Sequence, residues 1–236
     1  MLQTLLMMIM FVANLVQAAW TGQEEERDLL LDADGVKTLQ VKAGAGSLDI
    51  TGVGGTDIAV DALIRVPDVD AEEAQETIRE HLVLSLDRHG STADLKGYFE
   101  GLSRFGDSPL VDLKVRMPEG MFLNVDDGSG SLEIRNVRGD IELDDGSGSV
   151  RLSDVGGRLK INDGSGSIII EGAGGDITIV DGSGSVTVAR VEGSVTVEDG
   201  SGSIDVSEIA GDLVVPEDGS GSLDYSAIAG RVDVSR

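Results

Sequence analysis

From residue 123 onward, apolar and polar residues alternate in short runs such as Leu123-x-Val125, Leu132-x-Ile134 and Ile141-x-Leu143. A period of two marks a β-strand with one face buried. The runs themselves recur. Asp-Gly-Ser-Gly-Ser begins at Asp127, Asp145, Asp163, Asp181, Asp199 and Asp218, at intervals of 18, 18, 18, 18 and 19 residues. The apolar positions repeat with it, as Val150/Leu152/Val155/Leu159/Ile161 in one unit and Val186/Val188/Val191/Val195/Val197 in another. Self-similarity at a short fixed period predicts a solenoid.

Each unit describes one flattened coil of two short strands, reversing once at a Val-x-Gly corner and once at Asp-Gly-Ser-Gly. Units of equal length let strands of successive coils pair in parallel and in register. Six coils at ~4.8 Å per strand make a rod about 29 Å long. One coil cannot bury its own apolar residues, so stacking supplies the core. The predicted fold class is all-β, a parallel β-solenoid (β-helix) of about six 18-residue coils over residues 124–236. A hexapeptide left-handed helix shares the 18-residue coil but needs an apolar residue at every sixth position. Six-residue steps from Leu132 reach Arg138 and Asp144, which excludes it. The six Asp residues and the corner glycines Gly139, Gly157, Gly175, Gly193, Gly211 and Gly230 form the expected structural turn ladder. In it, Asp accepts from the N–H two residues on, and the corner glycines take a backbone conformation disfavoured for other residues.

Upstream the repeat decays. Ala43–Ser47, Leu48-Asp-Ile50 and Val53-Gly-Gly55 read as a degenerate unit, and Leu113-Lys-Val115, Gly120 and Leu123-Asn-Val125 as a further coil without the Asp turn. Between them lies an insertion. Asp70 opens a capping-box-like start to a short helix over 71–81, followed by strands Leu82–Leu86 and Leu95–Phe99 around the His89-Gly90 turn. Residues 38–123 therefore form a β-rich N-terminal part with an inserted helix, which caps the rod. Residues 20–37 read as a linker. Residues 1–19, with an apolar run ending Val16-Gln17-Ala18-Ala19, read as a signal peptide cleaved after Ala18 or Ala19, although Met1–Thr4 carries no Lys or Arg. The run is shorter than a membrane span, so no stable span is expected after cleavage, and the protein is expected to be exported: periplasmic, cell-surface or secreted.

Composition narrows the function. Acidic residues outnumber basic ones 43 to 18, a net charge of −25, and such a surface repels nucleic acid. There is no cysteine, which excludes a disulfide, a thiolate metal site and a thiol nucleophile. An in-register Asp ladder with ~5 Å between carboxylates raises the question of calcium, as in a β-roll. However, the Gly-Gly-x-Gly-x-Asp loop of that fold is missing, and only one turn per coil bears Asp. The Gly-Ser-Gly turns sit beside Asp and lack a following Lys, which argues against phosphate binding. The repeated serines have no partnered histidine for a hydrolytic triad. His81 reads as a helix C-terminal residue and His89 as a turn residue. No carboxylate pair stands out for glycoside hydrolysis. The expectation is no enzyme, no cofactor and no metal, with a calcium-stabilised rod and a carbohydrate-active β-helix enzyme as alternatives.

The run Val111-Asp-Leu-Lys-Val-Arg-Met-Pro-Glu-Gly120, feeding into tandem Gly-Ser-Gly-Ser-φ-x-φ units, resembles the bacterial putative-adhesin family of β-strand-repeat proteins. The likeness covers about residues 38–236. It implies a domain of unknown function with a signal peptide, a helix-bearing N-terminal part and a parallel β-solenoid in a surface or envelope role. The family usually has Asp after Gly-Ser-Gly, where this chain has Ser131, Ser149 and their counterparts. The expected partner is a protein or cell-envelope component. The final strand, Arg231–Ser235, has only Arg231, Asp233 and Arg236 to guard its edge, so this end is expected to take a partner strand or to self-associate.

Overall fold

The computed structural model describes residues 22–102, 108–217 and 219–235. The expected signal segment and Asp218 lie outside these. Each 18-residue unit delivers one strand to each of two parallel sheets. One sheet receives β8 (Phe122–Asp127), β10 (Ile141–Asp145), β12 (Leu159–Asp163), β14 (Ile177–Asp181), β16 (Val195–Asp199), β18 (Leu213–Glu217) and β20 (Val232–Val234). The other receives β9 (Ser129–Arg135), β11 (Gly148–Val155), β13 (Gly166–Ala173), β15 (Gly184–Val191), β17 (Ser201–Ile209) and β19 (Ser220–Ile228). Pairing is parallel and in register, Val150 against Ile168 and Leu159 against Ile177, so the chain is a β-solenoid of about six coils.

The register stacks like on like. In one coil Val150, Leu152 and Val155 face Leu159 and Ile161 across the interior, and all five are buried. Burying such a side chain contributes roughly 1.5–3 kcal/mol, so the column of coils supplies the stability that no single coil has. Between β16 and β18 the register shifts at the extra residue near Pro216, which accounts for the 19-residue interval.

The corner works differently from the sequence expectation. None of Gly139, Gly157, Gly175, Gly193, Gly211 and Gly230 has a positive φ. The left-handed residue comes earlier, immediately before the inward corner side chain: Asn136 (φ 57°), Asp154 (53°), Gly172 (79°), Arg190 (58°), Glu208 (57°) and Ala227 (55°). The corner glycines are required by crowding instead. A Cβ on Gly175 would lie 2.5 Å from the carbonyl oxygen of Gly157 in the preceding coil and 2.8 Å from the Arg158 nitrogen. At the other turn, the second glycine of Gly-Ser-Gly has a positive φ at Gly130, Gly148, Gly166 (147°), Gly184 and Gly202. Asp140 and Asp176 then tie the corners together, accepting from the backbone N–H of Arg158 (2.9 Å) and Ser194 (2.8 Å) one coil on.

The N-terminal part departs from a simple continuation of the stack. Residues 22–32, read as linker, form an 11-residue strand, β1 (Gly22–Asp32), antiparallel to β4 (Asp57–Pro67). Its alternation is masked in sequence because charged residues occupy half-buried sites, where Arg27 Nε meets Glu25 Oε1 at 2.7 Å. The first coil, β2 (Thr38–Ala43) and β3 (Ala45–Val53), is not terminal. It lies between β8–β9 on one side and β6 (Thr92–Phe99) with β7 (Leu110–Pro118) on the other. The strands around Leu113 and Leu123 therefore do not belong to neighbouring levels. The chain leaves β7, steps past the β2–β3 level and enters β8 beyond it. β4 pairs antiparallel with β7, and β5 (Leu82–His89) antiparallel with β6, so antiparallel strands close this end of both sheets.

The helix α1 (Ala71–His81) sits over that end. Asp70 caps it, accepting from the N–H of Glu72 and Glu73 at 3.0 Å each, with Arg79 and His81 in the last turn. Ala74 and Ile78 pack on Ile64 and Val66 as a small separate cluster.

Candidate functional site

Two features of the rod are candidates for function: a column of buried carboxyls inside it and the face at its C-terminal end. The column arises from the alternation itself. In β10 the inward residues are Ile141, Leu143 and Asp145, so the strand's last inward position is an aspartate. The same holds for Asp127, Asp163, Asp181 and Asp199, each 2–6% exposed. They pair rung to rung, Asp127 with Asp145, then Asp163, Asp181 and Asp199.

One oxygen of each rung serves the turn. Ser165, Ser183 and Ser201 donate backbone N–H to Oδ1 of Asp163 (3.2 Å), Asp181 (3.1 Å) and Asp199 (3.0 Å). The other oxygen of Asp127, Asp145, Asp163 and Asp181 is buried without a donor. Burial, the largest cause, pushes the Asp127 carboxyl up to about 7, helped by the charge of Asp145. It lifts Asp181 to about 6, helped by Asp163 and Asp199. Asp145 and Asp163 rise for the same reason, and N–H donors of the turns oppose the shift. The inward-facing neighbours on the opposite sheet, Leu132, Val150, Ile168, Val186 and Ile204, are apolar.

The sequence reading placed these aspartates in turns but missed their burial. The signal was present in the φ-x-φ-x-Asp spacing, which puts Asp on the same face as the two apolar residues before it. Among the described residues no group of three or more His, Cys, Asp or Glu is arranged to hold a metal ion. His81 and His89 stand at opposite ends of the β5 strand. His81 Nδ1 lies 2.9 Å from the Glu100 carbonyl oxygen, and His89 Nε2 lies 3.6 Å from Asp94. A cleft on the outer face near β1, β4 and β7 is lined by Glu26, Asp28, Asp61, Arg65, Asp112 and Lys114. Two of its carboxylates are engaged with arginines, Asp61 with Arg116 at 2.8 Å and Asp112 with Arg65 at 2.5 Å.

The second feature is the open end. Leu223, Tyr225, Ile228, Val232 and Val234 occupy inward positions; Leu223, Tyr225 and Ile228 lie in register with buried Ile204, Val206 and Ile209. Here they are only partly covered, and Tyr225 is 50% exposed. Among the described residues, nothing pairs with the outer edge of β19 or of β20, so both sheets present an edge at this end.

A family model described as Toastrack DUF4097 matches residues 96–233. Among solved structures the chain is similar to a putative cell adhesion protein from Clostridium sporogenes, at 12% identity, covering 90% of this chain and 99% of that one, with a TM-score of 0.42. It is similar to a putative lipid binding protein from Parabacteroides distasonis at 13% identity (90% and 98% covered, TM-score 0.41). A putative adhesin from Parabacteroides merdae aligns at 11% identity (91% and 97% covered, TM-score 0.37). No curated protein matches the chain.

Proposed function

This chain belongs to the Toastrack DUF4097 family, and we propose that it is an exported, non-enzymatic interaction rod that associates through its C-terminal end. The observation that carries this reading is the asymmetry of the two ends. At one end antiparallel strands and a helix cover the apolar layer although β1 and β5 are themselves edge strands, while the other end leaves Tyr225 and four aliphatic inward positions partly uncovered between its two sheet edges.

The occupant is a second copy of the chain. A single added strand would cover one edge and leave the other, with the apolar layer between them, in water. Covering both needs a partner with two edges about 10 Å apart, which is the spacing of packed sheets. The same end of another rod has that shape, and a two-fold axis would set β19 antiparallel to its copy and β20 to its own. The charges on this face, Asp224, Arg231 and Asp233, are of mixed sign, so the strong negative charge of the whole chain is not concentrated there. Export is supported by the apolar N-terminal run and its Ala18-Ala19 ending.

Sedimentation velocity over a range of concentrations, with amide exchange along residues 223–235, tests the reading. Dimer formation with protection that grows with concentration is expected, and Tyr225→Asp should abolish both. A monomer at every concentration, with fast and unchanging exchange in these strands, would overturn it.

A further inference from the structure

The buried carboxyl column has no obvious way to remain fully ionised. Asp127, Asp145, Asp163 and Asp181 make no ion pair with Lys, Arg or His among the described residues, and each has an oxygen sealed from water without a donor. The parallel register aligns them along the rod axis at the inter-strand repeat. At that repeat of about 4.8 Å, carboxyl groups turned along the axis would bring oxygens of successive rungs within reach of an O–H···O⁻ hydrogen bond. The missing donor for each orphan oxygen is then a proton on the carboxyl of the next coil.

We propose that Asp127, Asp145, Asp163, Asp181 and Asp199 form a shared-proton column. Protons taken from solvent bridge the carboxyl of one coil to the carboxylate of the next, and the coils bind one another more tightly as the pH falls. No covalent bond between heavy atoms changes. Each bridging proton leaves water, stays on one Oδ and is accepted by the neighbouring Oδ.

Among the described residues outside the column only Asp126 bears on its titration, its charge adding to the rise at Asp127. On the strands that carry it, the residues immediately before the rungs are Asp126, Asp144, Asn162, Val180 and Glu198, which alternation turns outward, and Lys42 on β2 pairs with Asp126 at 3.3 Å on that outer face. From the opposite sheet the column meets Leu132, Val150, Ile168, Val186 and Ile204, none of which titrates. On the far side of the first rung, β2 ends in Ala43, the residue after Lys42, which is the register partner of Asp126.

The sign follows from linkage. Folding raises these carboxyls above the ordinary aspartate value near 3.8, to about 7 for Asp127 and about 6 for Asp181. Between those limits the folded chain holds more protons than the unfolded one, so stability is greatest at the acidic side and declines as pH rises through the folded values.

Two measurements on the full chain test the column. Infrared spectroscopy of the folded protein at about pH 6 should show the carbonyl stretch of un-ionised carboxylic acid, which weakens in Asp145→Asn/Asp163→Asn/Asp181→Asn to what buried Asp127 retains. Thermal midpoints of the parent should fall by several degrees from about pH 5 to pH 8, and the triple variant should lose most of that slope. The outward-facing control Glu142→Gln/Asp144→Asn/Glu198→Gln removes the same number of carboxyl groups and should keep the parent slope and the infrared band. A parent with no acid band at about pH 6 overturns the proposal, whether or not the triple variant folds. So does a control that flattens the slope as much as the column variant does.

Discussion

Replacing Gly175 by alanine measures how closely the coils are stacked. The new methyl would sit 2.5 Å from the Gly157 carbonyl oxygen and 2.6 Å from its carbon, well inside the 3.4 Å at which ordinary contact begins. Neither atom belongs to a flexible side chain, so relief requires one coil to move off the next. That movement stretches the corner bonds Gly174 N to Val155 O (2.8 Å) and Leu159 N to Asp176 O (2.9 Å). Overpacking of this kind costs about 1–3 kcal/mol. At roughly 2–4 °C per kcal/mol for a chain of this size, the thermal midpoint should fall by about 2–12 °C. Thr178→Ala, on the exposed face of β14, should stay within about 0.5 kcal/mol of the parent. Arg190→Gly tests the other backbone demand. It relieves a left-handed arginine at φ 58°, at an entropic cost that opposes the gain, so a change of no more than about 1 kcal/mol is expected. Circular dichroism melts give the midpoints, and amide exchange shows whether the coils flanking Gly175 open first, because stacked repeats need not unfold as one unit. A Gly175→Ala midpoint within about 1 °C of Thr178→Ala would refute the close stacking described above.

Two further outcomes are expected. Millimolar calcium should raise the thermal midpoint no more than magnesium does, and a calcium-specific rise lost in Asp163→Ala/Asp181→Ala would show that the column takes a metal ion instead of protons. Deleting residues 66–108, which removes α1, β5 and β6, should strip the partner strand from β2 and give aggregates on size-exclusion chromatography with light scattering; a soluble monomer would show that the closing elements are dispensable.

The regular coils were legible because their signals are local and repeated. An 18-residue interval and strict alternation leave little choice of register for strands such as β12 and β14. What escaped the sequence depends on relations between coils. Gly175 has no feature that distinguishes a glycine needed for its φ from one needed because Gly157 lies against it. The level skip between β7 and β8 is invisible for the same reason, since the Leu113 and Leu123 strands are close in sequence and the β2–β3 coil that separates them is not. β1 was obscured by its composition, with Glu25 and Arg27 in positions where alternation would ordinarily show aliphatic residues. The burial of the aspartates is readable from the sequence. Asp opens a turn motif, yet the spacing Ile177-x-Ile179-x-Asp181 places that side chain among the aliphatics.

The displaced position of the β2–β3 level also bears on the order in which the chain can fold. The tandem coils find their partners nearby, as when Arg158 N–H reaches Asp140 across 18 residues. The first coil to be synthesised has no such neighbour. Ser47 meets Asp112 across 65 residues, and Asp49 meets Arg135 across 86. Closing such long loops is slower than closing short ones. A chain emerging from its N-terminus must therefore hold the β2–β3 segment unpaired until β6 and β7 have been made, and paired on one side only until β8 and β9 follow. Nucleation falls to the tandem repeats, and the β2–β3 level docks late, between layers made after it. In pulse-labelled refolding, amides of β11 to β16 should gain protection before those of β2 and β3.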